Sequence, residues 1–156
     1  MDGNPFPMNP TPNSDTGHVS SVWLLIFAAW LLSAISTLGA LFFGEVMEVP
    51  TCSLCWYQRI FMFPLAVILP LGLFPLDLKV IRYTLPLPLL GGLLAGFHLL
   101  LIEGVIPESI QPCTKGVPCS ETFVEWFGFL TIPMMSIAAF STIAVLLFAA
   151  RFRGSQ

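Results

Sequence analysis

The sequence predicts an all-α membrane protein, a four-transmembrane-helix bundle with both termini cytoplasmic and two outward-facing cysteine loops. Two observations predict this class. Apolar residues make up 56% of the 156 residues, charged residues only 10%, and the mean hydropathy is +0.86. A soluble domain carries about 25% charged residues, so this chain has too few charges to cover a soluble surface. In addition, the charges lie between four charge-free apolar runs, each near the ~20 residues that a helix needs to cross a bilayer.

The four apolar runs give the elements in order along the chain. Backbone groups in lipid must be hydrogen-bonded within the protein, and the runs lack the alternation of barrel strands, so each run is predicted to be helical. The predicted spans are residues 20–43, 57–76, 84–102 and 127–150, within a membrane domain of residues 19–153. The proline-rich, polar residues 1–18 are predicted to form a flexible tail. This tail lacks the basic segment of a signal peptide, so the first span is expected to stay in the mature protein.

Two shorter patterns concern packing and the last loop. Gly92 and Gly96 form a G-x-x-x-G in the third span, which either permits close helix packing or is a chance match in a glycine-rich run. Glu121 and Glu125 lie four residues apart with aromatic residues between and after them, which predicts a short interfacial helix before the fourth span.

The basic residues predict the orientation. The short loop after the second span and the C-terminal segment carry four of the six Lys and Arg residues, namely Lys79, Arg82, Arg151 and Arg153. Cytoplasmic loops of membrane proteins are enriched in such residues, so this loop and both termini are predicted to face the cytoplasm and the loops near 45–59 and 103–125 to face outward. Six basic residues against nine acidic ones leave no basic face for a nucleic-acid partner.

All four cysteines fall in the two predicted outer loops. Cys52 and Cys55 lie in the first outer loop, and Cys113 and Cys119 lie in the second. Disulfides form and persist in the oxidising compartment outside the cytoplasm. The sequence therefore predicts two disulfide-capable pairs that share one aqueous face.

The first pair has the C-x-x-C spacing at the start of the second span. In this spacing one thiolate is stabilised by its neighbour and by helix N-terminal amides, which favours thiol–disulfide exchange. Cys55 is expected on the first helical turn, where the helix dipole favours a thiolate. Arg59 is four residues further on, on the same face, so its charge favours that thiolate and could attract negative charge developing on a bound electron acceptor.

His98 is a second ionisable candidate. It lies five residues before Glu103, near the outer end of the third span. Ionisable side chains in membrane spans are candidates for functional sites, although a histidine bonded to headgroups or water at the interface fits the same position.

These residues alone are also compatible with roles that involve no redox chemistry. The outer cysteine pairs could be purely structural bridges, and Arg59 could extend to the headgroups. The four thiols could hold zinc, but thiolate ligands compete poorly with oxidation in that compartment, so no metal site is expected.

Three segments together resemble a known family. They are Cys52-Ser-Leu-Cys55-Trp56-Tyr57-Gln58-Arg59 with the following Phe61-Met-Phe-Pro64, the segment from Pro112 through Cys113 and Cys119 to Glu121, and the segment 127–140. They resemble the quinone-linked disulfide bond formation proteins, the DsbB/BdbC family, over residues 20–150. The six-residue spacing of the second pair resembles the BdbC-like branch.

The resemblance implies a mechanism and a location. A membrane thiol oxidase of this kind passes electrons from a thioredoxin-like (DsbA-like) thiol oxidase on the outer face to a membrane quinone, either ubiquinone or menaquinone. It implies that Cys55 faces the quinone, with Arg59 at the quinone head and His98 as a positional match. Cys52 would exchange with the second pair, Cys113 would meet the partner, and Cys119 would link back to Cys52. The implied location is the bacterial cytoplasmic (inner) membrane, with the cysteine loops on the periplasmic or extracellular side.

Two other functions are alternatives to the thiol oxidase. One is a tetraspan membrane protein with purely structural outer disulfides, whose bridges would resist mild reductant. The other is a quinone or epoxide reductase that resembles the vitamin-K-epoxide-reductase proteins and runs in the opposite direction. The C-x-x-C-W-Y-Q-R motif favours the oxidase.

Overall fold

The structure, a computed structural model, describes residues 14–48, 51–106, 125–126 and 130–155. The elements are α1 (Ser14–Leu41) with a π-helical turn (Phe42–Val46), α2 (Ser53–Leu73), α3 (Lys79–Thr84), α4 (Pro86–Ile102), β1 (Glu125–Trp126), β2 (Leu130–Thr131) and α5 (Ile132–Gly154). The two short strands pair antiparallel, with Glu125 opposite Thr131.

Within the described residues, four helical segments are long and apolar enough to cross a membrane. They are Val19–Val46, Ser53–Leu73, Lys79–Ile102 and Ile132–Gly154, and the third combines α3 and α4. This confirms the predicted class, an all-α protein with four membrane-spanning helices. The side of the membrane that each end faces stays a prediction.

Several boundaries differ from the predicted ones. Residues 14–18 are helical, so α1 begins inside the predicted tail, and residues 1–13 lie outside the described part of the chain. The second helix begins at Ser53, four residues before the predicted span, because Cys52 caps it, and Cys55 lies on its first turn as expected. The last helix begins at Ile132 instead of 127, and the predicted interfacial helix is wrong at Glu125, which lies in a strand. The strand pairing uses backbone groups that a helix through this segment would need.

The helices form a bundle in which α1 and α4 each contact both α2 and α5. The centre is filled by branched aliphatic side chains with no exposed surface, among them Ile26, Leu65, Leu69, Ile143 and Leu147. Large apolar side chains also cover the outer surface, for example Leu38, Val67, Leu93 and Val145. A soluble monomer rarely exposes so much contiguous apolar surface, whereas lipid tails solvate it without cost, so the outer face suits a bilayer.

Pro70 lies inside α2, and a partner on α1 compensates for it. Proline has no backbone N–H, so Pro70 cannot donate to the carbonyl of Ala66, four residues earlier. The indole Nε1 of Trp30 donates a hydrogen bond to that carbonyl oxygen at 3.1 Å. A neighbouring helix thus satisfies the freed carbonyl, as the membrane interior requires, and the bond ties α1 to α2.

Among the glycines of α4, the tightest approach to a neighbouring helix is at Gly91, which lies outside the G-x-x-x-G. A Cβ atom at Gly91 would lie 2.5 Å from Cε1 and from Cζ of Phe140 on α5. A Cβ at Gly92 would make an ordinary 3.6 Å contact with the same side chain, and one at Gly96 would meet nothing within 4 Å. The G-x-x-x-G spacing therefore does not mark a close helix crossing within the described residues.

Replacing Gly91 by alanine is expected to destabilise the bundle. A Cβ at 2.5 Å forces the buried Phe140 ring to shift, and overpacking of this kind should cost about 1–3 kcal/mol. Thermal unfolding in detergent should show a lowered midpoint. Gly96→Ala is the matched control, because it gains helix propensity at an open position. Equal midpoints for the two variants would contradict the close contact at Gly91.

Candidate active site

Cys52 and Cys55 meet at the N-terminus of α2. Cys52 is the residue before the helix, in an extended conformation (φ −73°, ψ 164°), and its Sγ accepts a hydrogen bond from the backbone N–H of Cys55 at 3.4 Å. A side chain at this capping position accepts from the N–H two or three residues later, so the C-x-x-C spacing itself creates the contact. The two Sγ atoms are 2.9 Å apart, and both cysteines are free thiols.

His98 reaches this thiol pair from α4. Its Nε2 lies 3.8 Å from Sγ of Cys52, and its Nδ1 lies 3.1 Å from the side-chain amide of Gln58. Both His98 and Gln58 are buried, with exposed fractions of 3% and 6%. Gln58 follows Cys55 by three residues and therefore lies on the same side of α2. Together, Cys52 and Gln58 fix the position and orientation of the imidazole ring.

The hydrogen bonds at the pair converge on Cys52. The hydrogen bond with the Cys55 thiol is the largest influence and, helped by His98 and the Cys55 backbone N–H, lowers the pKa of the Cys52 thiol to about 4, although burial raises it. From the sequence, the stabilisation by the helix end was expected at Cys55. The amide N–H is donated to Cys52 instead, because the side chain before the helix is the one that can reach the first-turn amides.

The low pKa of Cys52 predicts an unusual pH profile for its alkylation. The thiolate is the reactive form, and it is present above a pKa of about 4 and lost below it. In a variant with Cys113 and Cys119 replaced by serine, alkylation of reduced Cys52 should change little between about pH 6 and 8, whereas an ordinary thiol of pKa ~8.5 gains about tenfold per unit there.

The matched variant for this profile is His98→Gln, which removes one of the hydrogen bonds to Cys52. Its alkylation profile should move to higher pH. A steep, ordinary rise of the rate with pH in the protein that keeps His98 would contradict the thiolate at Cys52.

Arg59 is held against the end of α1. Its Nη2 donates to the carbonyl oxygen of Ala40 at 2.9 Å, and its Cζ lies 5.5 Å from the centre of the Trp56 ring. A Cβ atom at Gly44 would lie 3.0 Å from Nη1 and 3.1 Å from Nη2 of Arg59. Gly44 belongs to the π-helical turn, a feature often found at functional sites. The guanidinium thus lies between two helices, bonded to protein backbone.

The thiol pair, Arg59 and His98 line one cavity of about 700 Å³. The walls come from α1, α2, α4 and α5 and are mainly apolar, with Ile35, Phe43, Met62, Met135 and Phe140 among the lining residues. Cavities for small organic ligands span about 300–1,000 Å³ and combine apolar walls with a few convergent polar groups. This cavity can therefore hold a flat apolar molecule against two thiols and a cation.

The structure brings together four of the six predicted site residues: Cys52, Cys55, Arg59 and His98. Cys113 and Cys119 lie outside the described residues. Sequence reasoning assigned no role to Gln58 or Gly44. The signal that could have found Gln58 is a polar residue one turn inside an apolar span. No sequence signal marks Gly44, because its importance depends on where the Arg59 side chain points.

Comparison with known proteins identifies the family. The family model for the disulfide bond formation protein DsbB matches residues 20–150. The chain belongs to the DsbB family. This confirms the resemblance noted from the cysteine motifs. DsbB-family membership and the four apolar helices make the chain a multi-pass bacterial membrane protein with thiol–disulfide oxidoreductase activity in disulfide formation.

Individual DsbB relatives match most of the chain. A protein of Metapseudomonas resinovorans named "Probable disulfide formation protein" is 47% identical over 147 residues, which cover 94% of this chain and 98% of the relative. The "Disulfide bond formation protein C" of Bacillus subtilis is 38% identical over 135 residues, which cover 85% of this chain and 95% of the relative. No solved structure matches the chain.

Proposed function

We propose that this DsbB-family protein is a quinone-dependent thiol oxidase. Electrons pass from a thioredoxin-like (DsbA-like) partner through Cys113 and Cys119 to Cys52 and Cys55, and from there to ubiquinone or menaquinone in the membrane. The observation that carries the proposal is the opening of the Cys52–Cys55 pair into a largely apolar cavity that also contains Arg59.

The cavity fits a quinone by size and by chemistry. Its volume of about 700 Å³ lies within the range of small-molecule sites, and its apolar walls suit a lipid-soluble ring. When bound, a quinone supplies an acceptor for two electrons and two protons. The guanidinium of Arg59 is the cation that would hold a carbonyl oxygen of the ring, since charge-assisted hydrogen bonds are strong and directional.

The two sulfurs of the first pair have different roles in the proposal. Cys55 is half-buried and lines the cavity, and we assign it the position facing the ring. Cys52, 2.9 Å away and favoured as a thiolate, supplies the sulfur that closes the disulfide as two electrons leave the pair. The reduced pair carries one proton between its sulfurs, and that proton leaves with the electrons; the second proton of the hydroquinone would come from water. His98, whose Nε2 lies 3.8 Å from Sγ of Cys52, is placed to take up the proton from the pair. Gln58 holds the imidazole ring of His98 in position.

The second pair connects this site to the partner. Disulfide exchange runs through a mixed disulfide formed by thiolate attack, so the second loop must reach the first pair. We assign Cys52 to this exchange, because it precedes the helix and joins the outer loop. In this scheme Cys113 meets the partner thiol and Cys119 returns to Cys52.

The distribution of charge supports the proposed topology. Lys79, Arg82 and Arg151 surround one small cleft at the end of the bundle opposite to the thiols. Basic residues mark the cytoplasmic side. The cysteine loops then face the periplasm or the exterior of a bacterial cytoplasmic (inner) membrane, where disulfides persist.

Purified protein with quinone and a reduced thioredoxin-like dithiol tests this function. The proposal expects loss of the quinone absorbance together with oxidation of the dithiol. Electron flow from hydroquinone to the disulfide as the favoured direction would indicate a reductase instead. No quinone reduction with four intact cysteines, and bridges that resist mild reductant, would indicate structural disulfides.

Replacing Arg59 by alanine is expected to raise the apparent KM for quinone about tenfold. The reason is loss of one charge-assisted hydrogen bond, worth about 1.5–3 kcal/mol net, of which about 1.4 kcal/mol corresponds to a tenfold change. The measurement is the initial rate of quinone reduction against quinone concentration. Arg82→Ala, at the opposite end of the bundle, is the control and should leave KM unchanged. An unchanged KM in Arg59→Ala would contradict quinone binding by Arg59 and would indicate that its side chain only anchors α2 to α1.

A Gly44→Ala variant tests the position of Arg59 without removing its charge. The added methyl would lie 3.0 Å from Nη1, so the guanidinium must shift. We expect a smaller rise in KM than in Arg59→Ala, with Gly96→Ala, at an open position, unchanged. Combining Gly44→Ala with Arg59→Ala should add nothing further.

A further inference from the structure

The reduced thiol pair and His98 form a cluster of metal-ligand atoms. The two Sγ atoms and a ring nitrogen of His98 lie within 4.8 Å of one another, with 3.8 Å between Sγ of Cys52 and Nε2 of His98. Thiolate sulfur and imidazole nitrogen are the ligands that zinc prefers, and two cysteines separated by two residues are a common half of a zinc site. The cluster thus has the chemistry of a site for a soft or borderline cation.

The distances lie close to those of tetrahedral zinc. Bonds of about 2.3 Å to sulfur and about 2.0 Å to nitrogen require edges of roughly 3.8 Å between sulfurs and roughly 3.5 Å between sulfur and nitrogen. The observed sulfur–nitrogen edge of 3.8 Å needs little change. The sulfur–sulfur distance of 2.9 Å must open by about 0.9 Å, within reach of a rotation of the Cys55 side chain about χ1.

Gln58 supports the imidazole as a ligand. A metal-bound histidine usually donates its other ring N–H to a neighbouring acceptor, which fixes the tautomer. Nδ1 of His98 lies 3.1 Å from the Gln58 side-chain amide. The oxygen and nitrogen of that amide exchange places on rotation, so Gln58 can accept from Nδ1–H and leave the Nε2 lone pair for a metal.

We propose that the reduced protein binds one Zn²⁺ through Cys52, Cys55 and His98, with the fourth position open to the cavity. Binding displaces the protons that the thiols carry and moves no electrons, and the disulfide form offers no thiolates, so only the reduced state binds. The metal then holds the pair reduced and occupies the cavity end where the acceptor would sit. Oxidation disfavours a permanent zinc site in this compartment, but each catalytic cycle passes through the reduced state that this site requires.

Spectroscopic titration with Co²⁺ tests the site. The protein is a Cys113→Ser, Cys119→Ser variant in detergent, reduced, freed of reductant and kept anaerobic. One Co²⁺ per chain should bind with a thiolate-to-metal charge-transfer band, and Zn²⁺ should displace it. The disulfide form should give no band. Absence of the band in the reduced protein would overturn the proposal.

The role of His98 is tested by its own variant. His98→Gln keeps both thiols and should weaken Co²⁺ binding at least tenfold, while Arg82→Gln should bind as the parent does. Equal affinity of His98→Gln and the parent would reduce the site to an ordinary dithiol and overturn the three-ligand assignment. The titration contains no quinone, so metal binding without quinone reduction, or the reverse, separates this site from the proposed function.

Discussion

Replacing Cys55 by serine is expected to abolish quinone reduction, with turnover lowered about a thousandfold or more. The physical reason is that a single remaining sulfur cannot close a disulfide, so no two-electron donor is left at the cavity. Serine has nearly the same size, and its backbone N–H still donates to Cys52, so the cap of α2 is kept. Quinone absorbance with a small dithiol as electron donor measures the loss.

Two controls separate lost chemistry from lost structure. Ser53→Ala changes the neighbouring first-turn residue, keeps both sulfurs, and should retain activity. The thermal midpoint of Cys55→Ser should stay near that of the parent. Cys55→Ser protein that keeps more than about a tenth of the parent turnover would contradict the assignment of this pair as the electron donor.

Replacing both Cys113 and Cys119 by serine should lower the rate of oxidation of the thioredoxin-like partner about as strongly as Cys55→Ser lowers quinone reduction. In the proposed scheme the partner's electrons reach the first pair by exchange through the second pair, and each exchange requires a thiolate in contact with the attacked sulfur. The Cys52–Cys55 pair itself is untouched. Quinone reduction driven by a small dithiol should therefore persist in the same variant.

Measuring both activities in one preparation makes this test decisive. Loss of partner oxidation together with retained small-dithiol activity is the expected pattern. Partner oxidation at the parent rate would show that the first pair exchanges directly with the partner. Loss of both activities would place the second pair in the electron path to the quinone itself.

Composition was enough to predict the membrane class, because four long apolar runs leave few other folds for the chain. The irregular parts escaped prediction. The π-helical turn Phe42–Val46 and the strand pair at Glu125–Trp126 span only a few residues each, and such short elements depend on tertiary contacts. The start of α2 lies four residues before the apolar run because the side chain of Cys52 caps the helix. A cap depends on one side chain, so the hydropathy pattern does not indicate it.

In the candidate site, the residues that are close in sequence were predictable, and those brought together only by the fold were not. Cys52, Cys55 and Arg59 share one segment, so their spacing alone indicated thiol chemistry beside a cation. His98 lies 46 residues from Cys52 in sequence, and its position near the outer end of a span suggested only a candidate. The relevance of Gly44 depends on the approach of Arg59 to α1, which no local pattern encodes.

Anaerobic mixing of reduced protein with stoichiometric quinone, followed by counting of free thiols, tests the electron path from Cys52 and Cys55 most directly. The variant with Cys113 and Cys119 replaced by serine isolates the first pair. We expect one quinone reduced per chain and the loss of both remaining thiols to an intramolecular disulfide. Unreduced quinone with both thiols still free would contradict transfer from this pair to a membrane quinone.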